Sequence, residues 1–327
     1  MACNVVFFGS HEVAIPILDY LFSRPEVILS HIVSQPDRAS GRGKILKPTA
    51  ISAWALDHSI NLLRPSKPDM ELAAALGTCD LILVMAYGHI LREHILSLPR
   101  LGIFNFHASI LPKYRGASPV ETALACGEQL TGVSLMEVIP QMDAGDVVDT
   151  EIIAISPDDY APDLYDKLAQ GSVHLLDRQL GNLINGNIVK HPQDAQAATY
   201  TRKIMKQDGQ IDYNLSVIEI FNRIRGFHAH VGTFTKLHDT VLNIGHCKIL
   251  DTDKIFTQPG QILSIDKSDI LISTKQGILA VSELQRPGGK LLKIREFING
   301  FSLNIGDIFE SAHAENIVSN QPFPWRR

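Results

Sequence analysis

Cysteine is scarce and scattered. Cys3, Cys79, Cys126 and Cys247 are spread through 327 residues with no CxxC pair and no metal-type spacing. That pattern excludes a disulfide scaffold and a cysteine-ligated metal site, and reads as reduced thiols in a cytoplasmic protein. No apolar run approaches the ~20 residues that a membrane-spanning helix needs. The N-terminus passes almost directly into the strand-like run Asn4–Phe8, so no signal or transit peptide is expected. No GxGxxG follows that first strand, which removes the usual reason to expect a nicotinamide cofactor. Internal repeats and low-complexity tracts are also lacking. Excess charge of one sign is small: the net is −5, with 17 Lys/Arg against 22 Asp/Glu through residue 206 and 13 against 13 beyond it. Overall charge therefore gives no support for nucleic-acid binding, which must rest on local basic patches.

What is present is core material. With 45% hydrophobic and 20% charged residues, the composition is that of a globular protein, and the length suits two domains. The first half alternates strand and helix patterns. Val5–Phe8, Val27–Ser34, Asp80–Ala86 and Gly102–His107 read as strands, and residues 131–154 give two more around the turn QMDAGD. Val13–Phe22, Ala50–His58, Asp69–Leu76 and about Pro162–Asn185 read as helices. Continuous apolar strands separated by helices predict a Rossmann-like, mostly parallel sheet covered on both faces. Residues 186–207 are mixed and polar. Beyond them a helix at Val217–Arg225 precedes short runs at Thr233–Lys236, Leu242–Leu250, Gly260–Ile265, Ile270–Thr274 and Ile278–Leu284, as expected for a small all-β, OB-like barrel. The expected organisation is a catalytic domain over 1–189, a linker over 190–207, a barrel over 208–312 and a loosely held tail over 313–327.

The stretch FNFHASILPKYRGASP, residues 104–119, carries the chemistry, together with Asp143 some thirty residues later. A parallel α/β sheet binds ligands at the carboxyl ends of its strands. Asn105 and His107 lie at the end of one strand, and period-2 alternation points both to one face. An amide N–H and an imidazole can thus surround one carbonyl oxygen, and Asp143, in a glycine-containing turn, can approach the imidazole and fix its tautomer. Each residue alone has an ordinary reading, as a cap, a core histidine and a turn aspartate. Together with the SILPKYRGASP loop they are the parts needed to hold a tetrahedral intermediate and move its proton.

These residues resemble the active-site signature of the folate-dependent formyltransferases. Asn105, His107 and Asp143 match that family's asparagine, histidine and aspartate, and Ser109, Ile110, Leu111 and Pro112 match its folate-contacting SLLP loop. The stretch VMAYGHIL resembles the segment lining the pterin pocket, which assigns Val84, Gly88, His89, Ile90 and Leu91 to cofactor binding. The resemblance implies 10-formyltetrahydrofolate as formyl donor, no metal, and an oxyanion hole of Asn105 and protonated His107 supported by Asp143.

Three marks narrow the resemblance to the branch of the family that formylates methionyl initiator tRNA. The loop QPDRASGRGKILKP, residues 35–48, is similar to that branch's inserted loop and places Arg38, Arg42, Lys44 and Lys47 within ten residues, cations suited to phosphate. ATYTRKIMKQDGQIDY resembles the passage into the second domain, and SELQRPGGKLLKIREFINGF, Ser282–Phe301, the end of the tRNA-binding barrel. Two stretches depart from the pattern: GSHEVAIP at the start, and FHAHVG at 227–232, where the family usually has a Pro-Trp-Pro-like segment. His228 and His230 read as two surface histidines without a third metal ligand. The resemblance implies a cytoplasmic enzyme of bacterial type, and nothing in the sequence demands more than a monomer. A formyltransferase acting on an amino sugar nucleotide, a formyltetrahydrofolate hydrolase and a non-catalytic RNA-binding protein remain as alternatives.

Overall fold

The computed structural model describes residues 2–40 and 45–324. Seven strands form the first sheet: Cys3–Gly9 (β1), Val27–Val33 (β2), Asn61–Leu63 (β3), Leu81–Met85 (β4), Ile103–His107 (β5), Leu130–Glu137 (β6) and Val147–Ala154 (β7). Their spatial order is β7-β6-β5-β4-β1-β2-β3. The five strands from β5 to β3 are parallel, while β6 is antiparallel to β5 and β7 antiparallel to β6. The antiparallel pair at that edge follows from its connection, because residues 138–146 are too few for a helical crossover.

Alternation along the central strands divides the core in two. Val5, Phe7, Leu81, Leu83, Phe104 and Phe106 pack against helices Ile15–Phe22 and Ala161–Asn185 on one face. Val6, Phe8, Ile82, Val84 and Ile103 pack on the other against Leu72, Leu76 and Ile95, from helices Met70–Leu76 and Glu93–Leu96. The long helix keeps its apolar stripe inward through Leu164, Leu168, Leu175, Leu180 and Leu183. The chain turns from β1 towards β2 and β3 on one side and later towards β4 and β5 on the other. The carboxyl ends of β1 and β4 therefore flank the topological switch point, where such sheets bind ligands.

The second unit consists of two antiparallel four-stranded sheets. Thr233–Leu237, Thr240–Ile244, Glu283–Gln285 and Leu291–Lys293 form one, and Cys247–Ile255, Gln276–Val281, Ile270–Ser273 and Ile262–Ile265 the other. The runs read as Leu242–Leu250 and Ile278–Leu284 each break into two strands that belong to different sheets. Tyr213, Val217, Ile220, Ile224, Leu242, Ile272, Leu279 and Phe297 are at the centre of its core.

Two connecting stretches are tied to the rest of the structure by strand pairing. The segment 190–207 is built into the catalytic unit: Tyr200–Thr201 pairs in parallel with Arg115–Gly116. The tail is also held, since Val318–Ser319 pairs antiparallel with Tyr200–Thr201 and Ile317 is buried against Ile204 and Phe227. Sequence texture shows polarity in both stretches but not the strand pairing that satisfies their backbones. Arg38–Ser40 and Ile45–Lys47 form a short hairpin where only a polar loop was expected, and Arg42 and Lys44 lie outside the described residues.

Candidate active site

Asn105 stands opposite Val84 on one neighbour and Met136 on the other, and His107 opposite Ser134. Both share the face of Ile103 and open into a cleft of about 1970 Å³ that also receives Asp143. The sequence-derived trio is thus brought to one cavity at the carboxyl end of β5.

His107 is buried, and its Nε2 lies 2.9 Å from the Tyr114 carbonyl. A carbonyl can only accept, so Nε2 carries a proton and Nδ1 is the nitrogen left for chemistry. Asp143 Oδ2 stands 3.8 Å from Nδ1, a charge-pair distance too long for a hydrogen bond. Catalytic contacts of this kind tighten when a substrate is bound. Tyr114 holds its carbonyl in place from a backbone with φ of 61°, an uncommon conformation for a bulky residue. Its N–H donates to Thr199 Oγ1 at 2.9 Å.

Asp143 itself is held from several directions. The Gly116 N–H donates to its Oδ2 at 2.8 Å, and its backbone has φ of 49°, which aspartate tolerates better than most residues. Gln193 Nε2 donates to the carbonyls of Asp143 at 2.9 Å and Gly145 at 2.7 Å, while Gln193 Oε1 accepts from the buried Arg115. Gly145 is needed on steric grounds, because a Cβ there would fall 1.9 Å from the Glu137 carbonyl oxygen. Sequence reasoning missed Gln193, Arg115 and Gly145. For Gln193 no local signal existed, since its amide reaches back across about fifty residues of chain.

The stretch around residues 84–91 borders the same cleft. Val84, Gly88, His89, Ile90 and Leu91 all line the cleft, next to Met85, Val138, Ile139 and Pro140. Val84 and Leu91 are buried, and Ile90 is exposed. Gln35 Nε2 donates to the Tyr87 carbonyl at 2.7 Å, and Ser10 N–H to Ala86 O at 3.2 Å, so the segment is fixed at the switch point. The Tyr87 hydroxyl is buried with no hydrogen-bond partner among the described residues, and burial raises its pKa to about 12. An apolar slot bordered by backbone groups fits a flat heterocycle with polar edges.

Ser109, Ile110, Leu111 and Pro112 do not line this cleft. They form a turn behind His107, with Leu111–Pro112 in the cis form, pinned by Ser134. Ser134 Oγ donates to Ser109 O at 2.7 Å and accepts from the Leu111 N–H at 3.1 Å, fully buried. Ser134→Ala leaves both partners unpaired and is expected to lower unfolding free energy by about 1–3 kcal/mol. Urea unfolding checks this, and a loss near zero would mean that the loop is held elsewhere. Lys47 is exposed on the short hairpin and is not among the residues lining the cleft. His228 is half-buried, packed between Tyr160 and His246, which corrects its reading as a surface histidine. Among the described residues no group of three or more His, Cys, Asp or Glu side chains could hold a metal ion, and no helix is long and apolar enough to cross a membrane.

An amide, an imidazole with one ring nitrogen committed and a tethered carboxylate around one cavity are the groups that transfer at a carbonyl carbon calls for. Comparison with known proteins makes the class specific. The formyl transferase family model matches residues 3–180, and the model of the formyl transferase C-terminal domain matches residues 203–302. The methionyl-tRNA formyltransferase of Caldicellulosiruptor saccharolyticus is 36% identical over 310 residues, covering 93% of this chain and 99% of its own length. That of Methylobacillus flagellatus is 36% identical over 314 residues, covering 94% and 100%. The chain belongs to the methionyl-tRNA formyltransferase family. Among solved structures, the N-formyltransferase of Helicobacter canadensis, in complex with folinic acid and dTDP-3-aminofucose, superposes with a TM-score of 0.65 at 19% identity, covering 88% of this chain and all of its own. HypX of Aquifex aeolicus gives 0.65 at 16%, covering all of this chain and 50% of its own. At such identities the likeness is one of fold.

Proposed function

We propose that the protein transfers the formyl group of 10-formyltetrahydrofolate to the α-amine of methionyl initiator tRNA, as a cytoplasmic, monomeric enzyme of translation initiation. The observation that carries this reading is the near full-length similarity to methionyl-tRNA formyltransferases, across both the catalytic unit and the β unit. The donor's ring would occupy the slot of Val84 and Gly88–Leu91, with Ser109–Pro112 supporting the site from behind His107.

As the amine attacks the formyl carbon, a C–N bond forms and the carbonyl oxygen becomes negative. Asn105 and the Nδ1–H of protonated His107 would stabilise that oxygen as an oxyanion hole, a contribution of ~10²–10³ in rate per donor. Collapse breaks the bond to the folate nitrogen, and the proton shed by the attacking amine goes to that nitrogen. Asp143 would hold Nδ1 of His107 for this relay.

The test is formyl transfer to methionyl initiator tRNA, with methionyl elongator tRNA and a nucleotide-linked amino sugar as parallel acceptors. Transfer to the initiator alone is expected. Transfer to the sugar, or release of free formate with every acceptor, would overturn the reading. The loop cations Arg38, Arg42, Lys44 and Lys47 are proposed to meet acceptor phosphates. Lys47→Ala should raise the KM for tRNA and reduce its log–log salt slope by about 1, leaving the folate KM unchanged. An unaltered slope would remove Lys47 from the contact.

A further inference from the structure

The family's C-terminal domain model ends at residue 302, yet the chain runs on and returns to the catalytic unit. Phe309 anchors the start of this return in the β core against Tyr213. The Ala314 N–H donates to Asp212 Oδ2 at 3.0 Å. Burial works against the Asp212 charge, but this N–H, the Ser311 hydroxyl and Asn214 hold its carboxyl below the ordinary range. Arg202 Nε donates to Asn316 O at 3.0 Å, and Val318–Ser319 then joins Tyr200–Thr201 and Arg115–Gly116 in one small sheet. Two strand spacings, on the order of 10 Å, separate Val318 from Gly116, whose N–H holds Asp143. From there the chain lays Phe323 and Pro324 along the same cleft that holds Asn105, His107 and Asp143.

We propose that this returning segment is the acceptor wall of the active site, and that Phe323 stacks on the unpaired 3′-terminal base of the RNA. The proposal rests on the reading of the acceptor as an aminoacylated RNA. Three observations support it. The wall lines the same cleft as the reacting groups, so a long acceptor that places an amine at His107 has this surface within reach. Lys203, His230 and His313 line it, and the exposed Lys203 amine has no ion-pair partner among the described residues, which suits a phosphate. Phe323 is half-buried but belongs to none of the apolar clusters among the described residues, so none of those clusters depends on its ring. An aromatic ring on a nucleic-acid path is a stacking platform for a single-stranded base.

The experiment measures binding of an acceptor-stem minihelix with a single-stranded CCA end to the full chain, by fluorescence anisotropy. Phe323→Ala is expected to raise Kd about tenfold, the order that one stacked base contributes, and Phe323→Trp to restore it. Removing the terminal adenosine should cost the parent chain about as much and cost Phe323→Ala nothing further. Thermal melting should be unchanged. Equal Kd values for parent and Phe323→Ala, or losses that simply add, would overturn the proposal. Formyl transfer by the parent chain is assayed separately. Transfer with no Phe323 effect sinks the wall alone, whereas the stacking signature without transfer sinks the assigned reaction alone.

Discussion

Asp143→Asn is expected to slow single-turnover formyl transfer by about 10²–10⁴-fold, the range that positioned acid–base groups contribute. The affinity for folate should move by less than a factor of about three, since removing the charge takes no apolar wall from the ligand slot. The expectation comes from how the carboxylate is held. Its Oδ2 accepts the Gly116 N–H and faces His107 Nδ1 at 3.8 Å, and the turn that carries it is clamped by Gln193. Asparagine can occupy the same space and keep an oxygen for Gly116, but it supplies no negative charge to Nδ1. His107 Nε2 already bonds to the Tyr114 carbonyl, so the ring cannot answer by exchanging its two nitrogens. Rapid-quench measurement with saturating donor and acceptor decides the matter. A rate within threefold of the parent would show that Asp143 holds the turn and does no proton work.

How much of this was legible in advance differs by feature. The strand DLILVMA could be read because a central parallel strand is apolar on both faces, and Leu81–Met85 is indeed buried throughout. Asn105 and His107 could be paired because they are two apart at the end of a strand, and they open into one cleft. Asn61–Leu63 escaped notice because three residues cannot display a period. The two barrel runs were read as single because a chain that switches sheets at Gly245–His246 or Ser282 changes hydrogen-bond partners without changing its apolar texture. The clamp of Gln193 and the return of Val318–Ser319 were invisible for a deeper reason. Both join the site through backbone groups, and no side-chain pattern records which carbonyl a distant amide will meet.

Removing the Arg225 side chain is expected to cost about 3–5 kcal/mol of stability, the scale of losing a buried charged group that satisfies several acceptors. Arg225 is 5% exposed on the helix Val217–Phe227 of the second unit, and reaches into the first. Its Nη1 donates to Ser156 O at 3.2 Å and more weakly to Pro157 O and Asp159 O, while Nε donates to Asn222 Oδ1 at 3.0 Å. Burial pushes the guanidinium pKa down, but from a starting point so high that the group stays charged. The next residue shows how closely the units meet, because a Cβ on Gly226 would lie 2.7 Å from the Glu121 carbonyl oxygen. Glu121 is on the Pro119–Ala125 helix, whose first turn borders the cleft. Arg225→Ala therefore takes the arginine donor from the Pro157 and Asp159 carbonyls and leaves the buried Asn222 amide oxygen without it, while Ser156 O keeps the Asp159 N–H. Arg225→Lys keeps the charge and an ammonium that can still donate to these carbonyls, and should recover part of the loss. Urea unfolding in a Trp325→Phe background, followed by tryptophan fluorescence from Trp54 in the first unit and by far-UV circular dichroism for both units, separates the possibilities. Coincident transitions in the parent that split in Arg225→Ala would show that this one arginine couples the catalytic unit to the unit that follows it. A loss below about 1 kcal/mol with coincident transitions would assign the coupling to the close helix contact at Gly226 instead.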